Sequence, residues 1–366
     1  MFNIFIISES LSNFNRESFN YSAEKYEFDF CKSLSEHTNI TVLSTKLQYP
    51  DKLTSGNVVL LGVAKGKRKY AALREILKKK NNNSVLIFWG YDLVKVVQML
   101  KIRFLCKIKC IPFVYDTHKI AIKNFNFIKK FLCELYFNLG KAIIRFFDAF
   151  IFFQDAAAKR LKVQNKPYLV IKPGVYKQNI KPSTDNKDFL ITYCGTLSEL
   201  NGLDALLESL KHLKDTDVKF AFCGRGPLLD KVLQAEKAYD FVSFKGLLCG
   251  NELDKLYSES SLLLNLRRVD DEAMDYAFPS KIFECISTGV PVLTTNVLND
   301  KEFVENTYIL DEVTPQSIAD KIKFAINDKE NAVKKAQKAK DYIIDKYSFD
   351  SFASKIVEFL FNLFKD

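Results

Sequence analysis

At 366 residues, 48% of them hydrophobic, the chain is long enough for two ordinary cores of about 180 residues each. Its net charge of +10 is polarised, with 31 Lys+Arg against 14 Asp+Glu in residues 1–185 and 23 against 30 in residues 186–366, which favours one face turned toward polyanions over a nucleic-acid binder. Eight cysteines without a CxxC pair and three scattered histidines leave no zinc spacing, and no apolar run reaches about 18 residues without a charge, so reduced, structural cysteines are expected and a membrane span is not.

The opening MFNIFIISES lacks the basic start and small-residue cleavage site of a signal peptide. Its residues 3–8 read as a buried first strand, followed by a polar loop and a helix over 22–36. A dinucleotide fold wants G-x-G-x-x-G in that turn, and no glycine stands there, so a nicotinamide or flavin enzyme is not expected. Strand-like runs follow at 40–44, 58–62, 85–89, 113–116 and 150–153, alternating with helical stretches or loops. That alternation predicts an α/β domain with a parallel, doubly wound sheet.

Residues 95–147 carry 11 Lys+Arg and two acids, interleaved with phenylalanines that fall near helical spacing over 131–147. Such a helix suits an anionic membrane surface, each basic residue near the headgroups contributing on the order of 1 kcal/mol. An ordinary amphipathic helix with a solvated basic face fits the same pattern. RNA is disfavoured, because no nucleic-acid module accompanies the charge. Tyr115-Asp116-Thr117-His118 ends a strand, and open α/β sheets bind ligands beyond the carboxyl ends of their strands, so position favours a functional histidine.

Residues 166–187 are rich in Pro, Lys, Asn and Ser and show no hydrophobic period. They set the boundary: a first domain over 1–170, a linker over 171–187, a second domain over 188–345 and a tail over 346–366. The second domain reads as five strand–helix units with strands at 188–194, 218–224, 241–247, 262–266 and 290–293. The first strand leads through Gly195-Thr196-Leu197-Ser198-Glu199-Leu200-Asn201-Gly202 into a helix, the second through the tight turn Gly224-Arg225-Gly226-Pro227, and the third ends at Gly246. Asn251 is placed to cap the helix over 251–258. From Pro315 onward the pattern is helical, over 315–327, 329–346 and 349–364, with Phe352, Ile356, Phe359, Leu360 and Leu363 on one face of the last.

The most informative stretch is 275–296, DYAFPSKIFECISTGVPVLTTN. Pro279 suits a helix start, Ser280 can cap amides there, Gly289 suits a left-handed stop, and a buried strand follows. Ser280, Lys281, Glu284, Ser287 and Thr288 fall on one helical stripe, with Ile282, Cys285 and Ile286 turned away. A cation beside a helix N-terminus favours an anion, and a carboxylate one turn further in suits a neighbouring hydroxyl pair. The same spacing also fits a solvated stripe with a Lys/Glu pair.

FPSKIFECISTGVPVLTT resembles the nucleotide-sugar motif of GT-B glycosyltransferases, in particular the retaining family 4 branch (the glycosyl transferases group 1 type), and its proline-serine-lysine start resembles a variant found in enzymes that build bacterial surface polysaccharides. The resemblance implies two doubly wound domains facing across a cleft, with a C-terminal helix crossing back onto the first. It implies a nucleoside-diphosphate sugar as donor, a glycan or lipid-linked glycan as acceptor, and no cofactor or metal. Glu284 matches the glutamate that binds the ribose. His118 matches the histidine of an Asp-x-His element that faces the transferred sugar. Catalytic roles are thus expected for His118, Lys281 and Glu284, and donor contacts for Gly195, Thr196, Leu197, Asn201, Arg225, Gly246, Phe278, Pro279, Ser280 and Ile282. Three positions depart from the family pattern: Tyr276 replaces its first glutamate, and Thr196 and Asn201 replace two phosphate-binding cations. Lys281 is the first candidate to replace that charge, followed by Arg225, Arg267 and Arg268. The same architecture also serves nucleotide-sugar 2-epimerases, and the three departures leave room for an inactive, glycosyltransferase-like partner protein.

Overall fold

The computed structural model describes residues 3–15, 22–64, 69–78, 83–114, 126–175, 180, 188–269 and 280–365. The chain forms two compact units, one holding Met1–Gly174 and Phe349–Asp366, the other Val175–Asp271 and Pro279–Ser348.

The first unit is built on one sheet of β1 (Asn3–Ser8), β2 (Asn39–Ser44), β3 (Lys52–Ser55), β4 (Val58–Gly62), β5 (Ser84–Trp89), β6 (Lys109–Val114), β7 (Phe150–Phe152) and β8 (Tyr168–Val170). The strand order is β3-β4-β2-β1-β5-β6-β7-β8, parallel throughout except for the β3–β4 hairpin. Central strands of parallel sheets are covered on both faces, and β5, SVLIFW, is buried at every position. Three features differ from the sequence reading. The run at 113–116 belongs to a strand that begins at Lys109, its start masked by Lys109 and Pro112. Residues 52–55 form an edge strand whose four side chains are all exposed, so no apolar signal marks it. Tyr168–Val170, inside the stretch read as aperiodic, pairs with β7 and extends the sheet.

The C-terminal helix Phe349–Asn362 belongs to this first unit. It buries Phe352, Ala353, Ile356 and Leu360 and packs against the helix Ser22–Ser35, where the Ser33 hydroxyl donates to the Phe349 carbonyl at 2.6 Å and Phe30 meets Phe352 edge-on at 5.6 Å.

The second unit holds an all-parallel sheet of β9 (Phe189–Thr196), β10 (Val218–Arg225), β11 (Val242–Phe244), β12 (Leu262–Asn265), β13 (Val292–Thr295) and β14 (Tyr308–Leu310), in the order β11-β10-β9-β12-β13-β14. Ile191, Phe220, Phe222, Leu262 and Leu293 from these strands share one core with the helices Leu203–Ser209 and Pro315–Asn327. The sixth strand, β14, and the helix Lys301–Glu305 before it go beyond the five units read from the sequence; three residues are too few to show a period. Gly250, not Asn251, occupies the cap position of the helix Asn251–Glu259.

Strand order also fixes where a ligand can sit. The chain runs outward from β9 to β10 and β11, then returns to the other side of β9 as β12. The loops after β9 and β12 therefore diverge at the carboxyl edge, the switch point at which open α/β sheets bind their ligands.

Candidate functional site

The loop after β9 is held from inside. Leu197 is fully buried; its N–H donates to the Arg225 carbonyl at 2.9 Å, and its own carbonyl accepts from Leu228 N–H at 3.0 Å. Gly224 and Gly226 make that approach possible. A Cβ on Gly224 would lie 1.9 Å from the Gly195 carbonyl oxygen, and one on Gly226 would lie 2.4 Å from that of Leu197. Gly224 N–H in turn donates to the Gly246 carbonyl at 2.9 Å, so the three glycine turns read from the sequence meet at one edge. Gly195 itself has open space where a side chain would stand.

Asn201 and Thr196 occupy the two positions where cations were expected. The Asn201 amide donates to the Thr196 carbonyl at 3.0 Å and to the Ser198 hydroxyl at 3.2 Å, so it closes the loop on itself. A cation nevertheless reaches this spot from the other side of the switch point: the Arg267 guanidinium donates to Asn201 Oδ1 at 3.5 Å, while the Arg267 carbonyl is held by the Thr295 hydroxyl at 2.6 Å. Arg268 is otherwise engaged. Its guanidinium pairs with Asp204 at 2.9 Å and donates to the carbonyls of Glu199 and Val313 at 3.2 and 3.3 Å. Arg268 therefore ties the two loops together and is spent as a phosphate ligand. Replacing it with alanine should lower stability by about 1–3 kcal/mol, because the half-buried Asp204 carboxylate loses its partner. Urea unfolding of Arg268→Ala checks this. Arg225, the last residue of β10, stands exposed.

After β12 the helix Lys281–Ser287 carries the cation and the carboxylate. Lys281 Nζ lies 2.7 Å from Glu284 Oε1, each side chain about a third exposed at 31% and 33%. Tyr257, from the helix Asn251–Glu259, donates its hydroxyl to the same Oε1 at 3.4 Å and places its ring 5.6 Å beneath the ammonium. Burial works against the charge on Lys281, but Glu284, with Cys194 and Cys285, outweighs it and holds the ammonium above its ordinary pKa. Lys281 is thus a cation across the physiological range. Its charge also acts on Cys194, the residue before Gly195, and, together with the charge of Arg267, on Tyr193. The Lys281 helix and the β9 loop accordingly border one site.

The stripe expected on this helix is narrower than its spacing implied. Ser287 and Thr288 are fully buried, their hydroxyls donating to the carbonyls of Glu284 and Cys285 at 2.8 and 2.6 Å. The helix ends after two turns, with Gly289 left-handed at φ 81° as expected and Lys340 donating to the Thr288 carbonyl at 3.4 Å. Ser280 occupies the cap position in a helical conformation, and its exposed hydroxyl makes no capping bond, against expectation. Ile282, like Leu197, has a fully buried side chain, so both can offer a ligand only their backbone. His118, Tyr276, Phe278 and Pro279 lie outside the described residues. Sequence reasoning missed Tyr257, because nothing in a strand–helix pattern says which residue of a preceding helix will touch a motif 27 positions later.

Residues 176–356 match the family model described as "Glycosyl transferases group 1". No curated protein matches the chain in sequence. Among solved structures, the chain is similar to sucrose-phosphate synthase from Thermosynechococcus elongatus, with a TM-score of 0.74 at 13% identity, covering 99% of each chain. It is similar to Anabaena HepE in complex with UDP-glucose, with a TM-score of 0.69 at 14% identity over 98% of this chain and 99% of that one. It is also similar to WaaG, a glycosyltransferase involved in lipopolysaccharide biosynthesis, with a TM-score of 0.65 at 13% identity over 98% and 99%. Over its whole length the chain has the GT-B glycosyltransferase fold, and over residues 176–356 it matches the glycosyl transferases group 1 family.

Proposed function

We propose that the protein is a retaining, metal-independent glycosyltransferase that moves a sugar from a nucleoside-diphosphate sugar to a glycan or lipid-linked glycan in cell-surface polysaccharide synthesis. One observation carries the donor half of this reading: a permanently charged Lys281, paired with Glu284, borders the carboxyl edge of the second sheet at its switch point. An ammonium has three donors, so Lys281 can keep its bond to Glu284 and still offer two to diphosphate oxygens. Arg267 supplies the second cation where the loop after β9 carries none of its own. Glu284 accepts from the ribose hydroxyls. In the reaction the C1–O bond to the diphosphate breaks as the acceptor oxygen bonds C1 on the same face, and the acceptor proton passes to the departing diphosphate oxygen. Lys281 and Arg267 stabilise the charge that develops on that oxygen, and His118 acts on the transferred sugar. HepE, bound to UDP-glucose, favours a UDP-sugar. Incubation with UDP-, GDP- and ADP-sugars, with the product's anomeric configuration read by proton NMR, tests this. Transfer with retention is expected. Inversion, or donor conversion without an acceptor, overturns it.

The site of action we propose is the cytoplasmic face of an anionic membrane. The helix Phe127–Ile144 packs through Gly140, where a Cβ would lie 2.3 Å from the Tyr91 carbonyl oxygen, and through Phe137, whose ring meets Tyr91 at 5.7 Å. Ile128, Phe131, Leu132, Leu135 and Leu139 are left on the outer face, with Phe127 84% exposed and Lys129 and Lys130 beside it. Of the phenylalanines in the basic stretch, Phe147 is fully buried and belongs to the core, while Phe104, Phe127, Phe131 and Phe146 are exposed. Co-sedimentation with phosphatidylglycerol vesicles at low salt, and release at high salt, is expected. Protein that stays in the supernatant at low salt contradicts this placement.

A further inference from the structure

The Lys281–Glu284 pair stands on a helix of two turns, and an i,i+3 pair that is a third exposed does not by itself fix a lysine, whose four-carbon stem keeps most of its rotamer freedom. A third side chain touches both partners. Tyr257 is 1% exposed; its hydroxyl donates to Glu284 Oε1 at 3.4 Å, the oxygen that Lys281 Nζ holds at 2.7 Å, and its ring centroid lies 5.6 Å from that Nζ. The three side chains close a triangle. An aromatic face attracts a cation within about 6 Å, and does so more strongly where water is excluded, as it is from a ring buried to this degree. Tyr257 is itself firmly held. Its helix, Asn251–Glu259, also buries Leu253 and Leu256, and just past its end the Ser260 hydroxyl donates to the Leu256 carbonyl at 2.7 Å and accepts from the Thr192 hydroxyl of β9 at 2.7 Å. The ring is thereby tied to the strand that leads into the Gly195 loop.

We propose that Tyr257 is a positioning residue of the donor site: it holds the Lys281 ammonium in its binding conformation before the diphosphate arrives. This rests on the donor reading above and extends it to a residue that acts only through Lys281 and Glu284. A binding group already fixed in place loses less side-chain freedom when its ligand binds, and affinity rises accordingly. A ring suits this task better than a second carboxylate. Another acid would grip the ammonium as firmly but would set one more negative charge against the diphosphate, whereas a neutral ring attracts the cation and leaves its net charge to the ligand. The hydroxyl completes the arrangement from the other side, steadying the Glu284 carboxylate without adding charge.

The test is a double-mutant cycle on the full-length protein, read by isothermal titration with whichever of UDP, GDP and ADP binds tightest. Tyr257→Leu removes the ring and should weaken binding by about 5- to 30-fold, while Tyr257→Phe returns the ring and should stay within about threefold of the unmodified protein. Tyr257→Met, a flexible filler of the same space, is run beside Tyr257→Leu, so that a packing defect in one variant, seen in a thermal melt, does not decide the result. In a Lys281→Ala background the Leu and Met substitutions should cost less than about twofold, because the cation they act through is gone; a tyrosine that serves packing alone would cost the same factor in both backgrounds. Equal factors in the two backgrounds, or Leu and Met variants that bind as tightly as the unmodified protein, overturn the role of Tyr257 and leave the donor site standing. An unmodified protein that binds none of the three diphosphates overturns the donor reading and this role with it.

Discussion

Lys281→Ala is expected to weaken nucleoside-diphosphate binding by roughly 10- to 100-fold while leaving the fold intact. Hydrogen bonds to charged groups contribute about 1.5–3 kcal/mol, and each 1.4 kcal/mol is tenfold in affinity. The substitution also leaves the Glu284 carboxylate facing the diphosphate without its neutralising partner, which adds repulsion to lost attraction. Stability should change by less than about 1 kcal/mol, since the pair is a third exposed and of the i,i+3 type. Isothermal titration with UDP, GDP and ADP, set beside a thermal melt, separates the two effects. Lys281→Arg should recover part of the affinity, because charge is restored without the same reach. Equal dissociation constants for Lys281→Ala and the unmodified protein would remove Lys281 from the site.

Gly224→Ala should be the most damaging small substitution in the second unit, at more than about 3 kcal/mol out of a typical total of 5–15. Two causes act together. Gly224 has φ 137°, where side chains are strained, and its Cβ would lie 1.9 Å from the Gly195 oxygen and 3.0 Å from its carbonyl carbon. Those are backbone atoms of the neighbouring strand, fixed by the parallel register that runs from Val218↔Phe189 to Arg225↔Thr196, so neither can yield without opening the sheet. For a unit of this size the loss corresponds to a melting temperature lower by about 6–12 °C. Differential scanning calorimetry checks it, and an unchanged transition would mean that the β9 and β10 loops are not locked as described.

Much of this architecture was legible in order along the chain. Buried parallel strands such as β5 and β9 are near-continuous apolar runs, and the tail helix shows its buried face as Phe352, Ile356 and Leu360 at helical spacing. What escaped were elements with no period to show: the exposed edge strand Lys52–Ser55 and the three-residue strands β8 and β14. Within the site, Lys281 and Glu284 were legible because three-residue spacing on a helix puts them side by side. Ser287 and Thr288 were misplaced because the helix stops after two turns and the chain dives into the core, so the stripe does not continue. The meeting of Arg267 with Asn201, and of Cys194 with Cys223, depends on which strands become neighbours. Local pattern carries none of that information; sheet order does.

Hydrogen–deuterium exchange on the full-length protein with and without saturating UDP tests the location of the donor most directly. Slower exchange confined to the loop 195–202, the residues 266–268 that carry Arg267 and the helix Lys281–Ser287 is the expected pattern, since all three border the carboxyl edge between β9 and β12. Protection elsewhere in the chain, or no change with UDP, GDP or ADP, would contradict the donor site described.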